Sequence, residues 1–178
     1  MYWGYNTANL FTIGTWFRSP APTAAAPKNG SGPLVGFASA KPTTTDLPGN
    51  HDRMLYIDSA GRIVFGLYPG AVRTLVTPAS IDYRDGQRHH VAASLSPAGM
   101  VLYVDGQRIT SRTDTTKGEQ YNGYWRIGCQ SLSTWPNAAG SYSWAYSDYY
   151  TGEMQYAFGY YTALSDAEIH AMWLAGQP

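Results

Sequence analysis

The sequence predicts an all-β fold with one short helix, and three observations carry that prediction. Apolar residues alternate with a period of two along most of the patterned segments. Between those segments lie clusters of Pro, Gly, Asn, Asp and Ser, the residues that turns favour. Helical spacing occurs once, near the end of the 178-residue chain.

The first strand is Leu10 to Arg18, LFTIGTWFR, followed by the loop PAPTAAAPKNGSGP and a second strand, PLVGFAS. After the polar loop KPTTTDLPGNHD, the segments RMLYID and RIVFGLY form a hairpin around Ser59, Ala60 and Gly61. Ile63, Phe65 and Leu67 share one face of it, because alternate residues of a strand point the same way. The stretch RHHVAASLSPAGMVLYVDGQRI, residues 88–109, carries the clearest pairing. Its first arm sets His89, Val91, Ala93 and Leu95 on one face and His90, Ala92 and Ser94 on the other, so the two histidines point opposite ways. Met100, Leu102 and Val104 line one side of the return arm, with Val101 and Tyr103 on the other. Asp105-Gly106 then supplies the two positive-φ residues of a type I′ turn, whose twist suits a β-hairpin. GYWRIGC (123–129) is another strand, SLSTWPNAAGSYSWAYSDYY (131–150) a long aromatic loop, and GEMQYAFGYY (152–161) the last strand. In ALSDAEIHAMWLAG, Ser165 is placed as N-cap and Glu168 as its capping-box partner, while Leu164 can staple against Ile169. Ile169, Met172 and Trp173 form the apolar stripe, and Gly176 is available to end the helix. No repeat of solenoid or propeller period is present.

Composition narrows the function. One domain over residues 1–178 is enough chain to bury a two-layer core without staples. Tyr2 and Trp3 directly after Met1 are what a domain cut from a larger multidomain protein would show. Twelve basic and 12 acidic residues leave no net charge, which argues against nucleic acid as a partner. No apolar run reaches membrane-spanning length, so no membrane insertion by this domain is expected, and no signal peptide is evident. The one cysteine, Cys129, cannot form an intrachain disulfide and is expected as a small buried residue. Fifteen tyrosines and 6 tryptophans against 5 phenylalanines favour rings with a polar edge, which suit surfaces that bind.

The segments DGQRHHVAAS, LYVDG, YWRIGC and ALSDAEI occur in that order. They resemble the LamG-like domain of the concanavalin A-like lectin and glucanase superfamily, in the bacterial form that serves as a module of surface and secreted proteins. The resemblance covers nearly the whole chain. It implies an antiparallel jelly-roll β-sandwich, with the short C-terminal helix as a clip, and an extracellular or cell-surface location. Arg88 stands where the family has Trp and Cys129 where it has Gly, while Gln130 and Gln155 replace the Asp of close relatives. Calcium wants charged oxygen ligands, so no metal or cofactor is expected. The alternative is a calcium site built from Asp46, Asp52 or Asp148 with backbone carbonyls.

Glucanases of this superfamily carry an E-x-D-x-E on one strand, and a retaining glycosidase needs two carboxylates about 5 Å apart. The only glutamates are Glu119, Glu153 and Glu168, and Asp166 beside Glu168 serves the helix N-terminus. There is no G-x-S-x-G, and the histidines, His51, His89, His90 and His170, are expected to be packed rings. No catalytic residue is assigned and the chain is not expected to be an enzyme. The candidate ligand residues are Trp135, Asn137, Tyr142, Trp144, Tyr146, Asp148, Tyr149 and Tyr150. Sugar rings stack on such aromatics while the polar groups take hydroxyl hydrogen bonds. Trp135 and Trp144 are expected as exposed indoles. The reading is a non-catalytic module that binds a glycan or an extracellular protein surface and localises a larger protein. The alternative is a structural spacer without its own ligand, in which these rings lid the sandwich, and the third is a divergent glycoside hydrolase.

Overall fold

The computed structural model describes residues 2–3, 9–39, 49–138 and 148–177. Its strands are β1 Tyr2–Trp3, β2 Phe11–Arg18, β3 Gly32–Ala38, β4 His51–Ile57, β5 Ile63–Leu67, β6 Arg73–Val76, β7 Arg88–Ser96, β8 Gly99–Val104, β9 Gln107–Arg112, β10 Gly123–Ile127, β11 Cys129–Gln130, β12 Asp148–Tyr149 and β13 Glu153–Tyr160. The helix α1 is Asp166–Ala175. A six-stranded sheet in the order β1-β10-β3-β4-β5-β6 faces a five-stranded one in the order β13-β2-β7-β8-β9, and β11 and β12 form a separate two-stranded ladder. All pairings are antiparallel, giving the expected jelly-roll sandwich.

The two-residue period decides which side chains fill the space between the sheets. Phe11, Ile13, Leu55, Ile63, Phe65, Leu67, Val91, Leu95 and Leu102 all lie in that core. Their strand neighbours point outward and meet covers. Ala92 and Tyr103, on the outer face of the five-stranded sheet, pack under Ile169 of α1. Met54, Tyr56 and Val64, on the outer face of the six-stranded sheet, pack under Leu132 and Trp135.

Asp105 and Gly106 take φ of 49° and 73°, as the type I′ turn requires. The capping box is present: the Ser165 N–H donates to Glu168 Oε2 at 2.7 Å, and the Glu168 N–H donates to Ser165 Oγ at 3.3 Å. Leu164 packs beside Ile169.

The structure corrects two expectations and adds one strand. GYWRIGC is not one strand: Gly128, at φ 69°, breaks it, so β10 stays in the six-stranded sheet and β11 leaves to pair with β12. Cys129 is consequently half-buried rather than buried, set in a two-residue ladder opposite Tyr149. RTLV forms β6, unheralded because only Leu75 of its four residues is buried. Gly176 ends the helix as expected, at φ −95°, and a side chain there would collide with the Trp16 indole.

Candidate functional site

The outer face of the six-stranded sheet carries a groove of about 550 Å³, lined by Asn50, His51, Tyr68, Glu119, Thr134 and Trp135 among others. It forms because two unlike pieces of chain meet over one strand. On one side β4 begins with an ion pair sunk in the protein. Asp52 and Arg53 are 0% and 1% exposed, and Arg53 Nη1 donates to Asp52 Oδ2 at 3.0 Å. Arg53 has φ 54° on a bulge opposite Gly36, where the β3–β4 register shifts.

That pair organises the groove floor. Asp52 Oδ1 accepts from the backbone N–H groups of Arg53 at 2.6 Å and Tyr68 at 2.8 Å, and Oδ2 accepts from the Glu119 N–H at 2.6 Å. Arg53 Nη1 and Nη2 both donate to the Glu119 carbonyl at 3.1 Å, and its guanidinium lies 5.3 Å from the Phe37 ring centre. Burial pushes the Asp52 carboxyl above its usual range, against the opposing pull of Arg53 and the three backbone N–H groups. One carboxylate thus fixes β4, the Tyr68 loop and the Glu119 segment together.

The other side is the start of the aromatic loop. The Leu132 N–H donates to Asp148 Oδ2 at 2.8 Å, and the Trp135 N–H donates to the Leu132 carbonyl at 3.1 Å. The Trp135 ring stands edge-on to Tyr56, 6.5 Å between centres, whose hydroxyl donates to the Pro136 carbonyl at 2.7 Å. Gly66 makes room for it, since a Cβ there would overlap the indole. The expectation of an exposed indole therefore fails at Trp135, which lines the groove but is only 4% exposed.

The polar groups between these walls are already partnered; Asn50 is exposed, Glu119 half-buried and His51 buried. Asn50 Nδ2 donates to Glu119 Oε1 at 3.1 Å. The His51 ring nitrogens lie 3.0 and 3.2 Å from the Gly49 and Ser133 carbonyl oxygens, joining the two sides. Burial, and then the negative charge of Asp52, raise the Glu119 carboxyl pKa.

Of the predicted site residues, Trp135 reaches this groove. Asn137, at φ 53°, is exposed on the same segment, and its carbonyl accepts from the Ser59 N–H. Asp148 holds Leu132 from β12. Tyr149 is 62% exposed. Tyr150 turns inward to pack against the core and shares a 2.7 Å hydrogen bond with the Ser19 hydroxyl; burial pushes its pKa up to about 12. Tyr142, Trp144 and Tyr146, with Asp46 of the calcium alternative, lie outside the described residues. The two other carboxylates of that alternative are engaged as described, Asp52 by N–H donors and Asp148 by Leu132. Asn50, His51, Tyr68 and Glu119 escaped sequence reasoning. The available signal was the adjacent Asp52-Arg53 pair opening an otherwise apolar strand.

A family model described as the concanavalin A-like lectin/glucanases superfamily matches residues 4–170. No curated protein sequence matches. Among solved structures, the heptameric SAP-like pentraxin of Limulus polyphemus superposes with TM-score 0.57 at 16% identity, covering 93% of this chain and 70% of that one. The CBM40 of the Ruminococcus gnavus IT-sialidase gives TM-score 0.58 at 19% identity, with 93% and 84% covered. A Trypanosoma rangeli sialidase in complex with sialic acid gives 0.54 at 19% identity over 96% of this chain, which spans only 24% of that enzyme. No helix among the described residues is long and apolar enough to cross a membrane.

Proposed function

The chain belongs to that superfamily, and we propose that it is a non-catalytic glycan-recognition domain whose ligand lies in the groove between Tyr68 and Trp135. The observation that carries this reading is a preformed groove with aromatic walls and a few convergent polar groups on a fixed frame, the usual anatomy of a small-ligand site. Tyr68, 39% exposed, offers a ring for a sugar face, and Asn50 and Glu119 offer hydrogen bonds to hydroxyls. A two-carboxylate hydrolysis is not supported among the described residues. Glu119 has a carboxylate open to the groove, whereas both oxygens of Asp52 are consumed by N–H donors in the interior. The CBM40 neighbour, a carbohydrate-binding module, supports the same class of ligand. Such a domain would localise a larger protein outside the cell.

The spacer reading has one observation in its favour, the burial of Trp135. A glycan array on the wild type, with Tyr68→Ala and Glu119→Gln followed by melting temperature and affinity, separates the two. Recognition in this groove predicts about tenfold weaker binding in each variant at nearly unchanged stability. A wild type that binds no glycan on the array overturns it.

A further inference from the structure

The five-stranded sheet carries a second groove on its outer face, beside the C-terminal end of α1. Two hollows of about 420 and 540 Å³ share Trp16, Arg88 and Gln155 as lining. Strand register explains who meets there. Gln155, Trp16 and His90 form one row across β13, β2 and β7, and Glu153, Arg18 and Arg88 form the next. Residues paired directly across antiparallel strands point to the same face, so two guanidinium groups stand side by side with one carboxylate.

That carboxylate is a weak counterweight. Glu153 lies 3.7 Å from Arg18 Nη1, with the two side chains 74% and 57% exposed, a geometry that water screens. The other nearby acid, Asp85, is turned to His89 at 3.3 Å and to the Gln87 N–H at 2.8 Å. Arg88 is held in place instead of neutralised: its guanidinium lies 4.1 Å from the Trp16 ring centre and Nη1 donates to the Gly176 carbonyl at 2.8 Å. Arg18 Nε is fixed by the Gly86 carbonyl at 2.8 Å. Behind them His90, 1% exposed and stacked on Phe158, has an Nδ1 without a hydrogen-bond partner among the described residues.

The groove also has a strained wall. Tyr156 takes φ 50° on a bulge where the β13–β2 register shifts between Gln155 and Phe158, and it is 74% exposed. A left-handed backbone is strained for a bulky residue, and bulges often re-aim a side chain. Here the distortion sets an aromatic ring at the mouth of a basic hollow furnished with neutral amides. The same bulge interrupts β13, an edge strand among the described residues, which disfavours addition of a peptide strand.

We infer that this groove is a second binding site, distinct from that of the proposed function, for an acidic saccharide: Arg18 and Arg88 take the sugar carboxylate, Tyr156 supports a ring, and Gln155 meets hydroxyls. The guanidinium fork matches a carboxylate, and the two guanidinium groups here face a single, solvent-screened carboxylate.

Calorimetric titration tests this with a short oligogalacturonate, its methyl ester and an oligoglutamate peptide. The wild type is expected to bind the oligogalacturonate, weakening with salt, and to bind the ester about tenfold less well. Arg18→Gln and Tyr156→Gly should each lower affinity about tenfold, and the glycine variant should keep or raise the melting temperature because it accepts the left-handed backbone. Tyr68→Ala should leave oligogalacturonate binding intact, so failure of one groove is distinguishable from failure of the other. No binding by the wild type, equal affinity for the ester or the peptide, or equal loss in Tyr68→Ala overturns the inference.

Discussion

The outer faces of the two sheets are assembled from the same two devices, a cover and a bulge, and the bulges are finished in opposite ways. On the six-stranded sheet the bulged residue is Arg53, turned into the protein and locked to Asp52 and the Glu119 carbonyl. On the five-stranded sheet it is Tyr156, turned out to solvent, with the bulge backbone held by the Thr15 hydroxyl, which donates to the Gln155 carbonyl at 3.0 Å. The covers differ too. Residues 131–138 reach the first face through Trp135 and a scatter of turn hydrogen bonds, whereas α1 is clipped at its N-terminal end. There Asp166 accepts from the Tyr103 hydroxyl at 2.8 Å and from Arg108 Nη2 at 2.7 Å, and the Leu164 N–H donates to Thr12 Oγ1 at 2.9 Å. Left-handed backbone can thus be stabilised from within, where it sets the shape of a groove, or left outward, where it displays a ring.

The largest expected effect comes from opening the inner bulge. Arg53→Met strands the Asp52 carboxylate without its countercharge and should cost about 3–5 kcal/mol in urea unfolding. A loss under about 1 kcal/mol would show that the ion pair does not hold this face. Filling the seat of the first cover comes next: Gly66→Val drives side-chain atoms into the Trp135 ring and should cost about 2–3 kcal/mol, with red-shifted tryptophan emission as the indole is expelled. Unchanged emission would mean the ring is seated elsewhere.

Acid sharpens the contrast from the other side. Burial pulls the His90 pKa down to about 4, with Asp105 opposing. The unfolded chain therefore binds more protons than the folded one between about pH 6.5 and 4, and stability should fall by on the order of 2 kcal/mol as pH drops through that window. His89 works oppositely: although burial lowers its pKa, Asp105 at 2.8 Å and Asp85 raise it overall, so its contribution is fully present below about pH 6.5 and is lost as pH rises through its folded value. Replacing His90 by Leu should flatten the acid limb, and an unaltered limb would refute its origin there. The smallest effect is at the helix clip, where Ser165→Ala removes one cap acceptor and should lower stability by about 1 kcal/mol, measured by the denaturation midpoint.

What was legible in the sequence was local. The alternation of Val91, Ala93 and Leu95, the positive-φ pair at Asp105-Gly106 and the three-residue spacing of the capping box each announce themselves within one element. What was hidden depends on partners distant in sequence. Trp135 stands among Ser, Thr, Pro and Asn as a loop aromatic would, and only the bare backbone at Gly66 makes it an interior residue. Arg53 has the composition of a surface residue, and the Glu119 carbonyl that helps bury it arrives from another loop. The division of GYWRIGC at Gly128 was equally silent, because a glycine inside a strand pattern is compatible with continuation or with a break.

That division has a practical consequence for attachment chemistry. The chain has a single thiol, and it sits half-buried on β11, where Cys129 and Gln130 meet Tyr149 and Asp148 and so draw together the two ends of residues 131–147. A spin label or fluorophore coupled to this 178-residue chain would occupy this one position without any introduced cysteine. It would register opening or tightening of that junction when a glycan is added, while the two sheets behind it serve as a fixed reference.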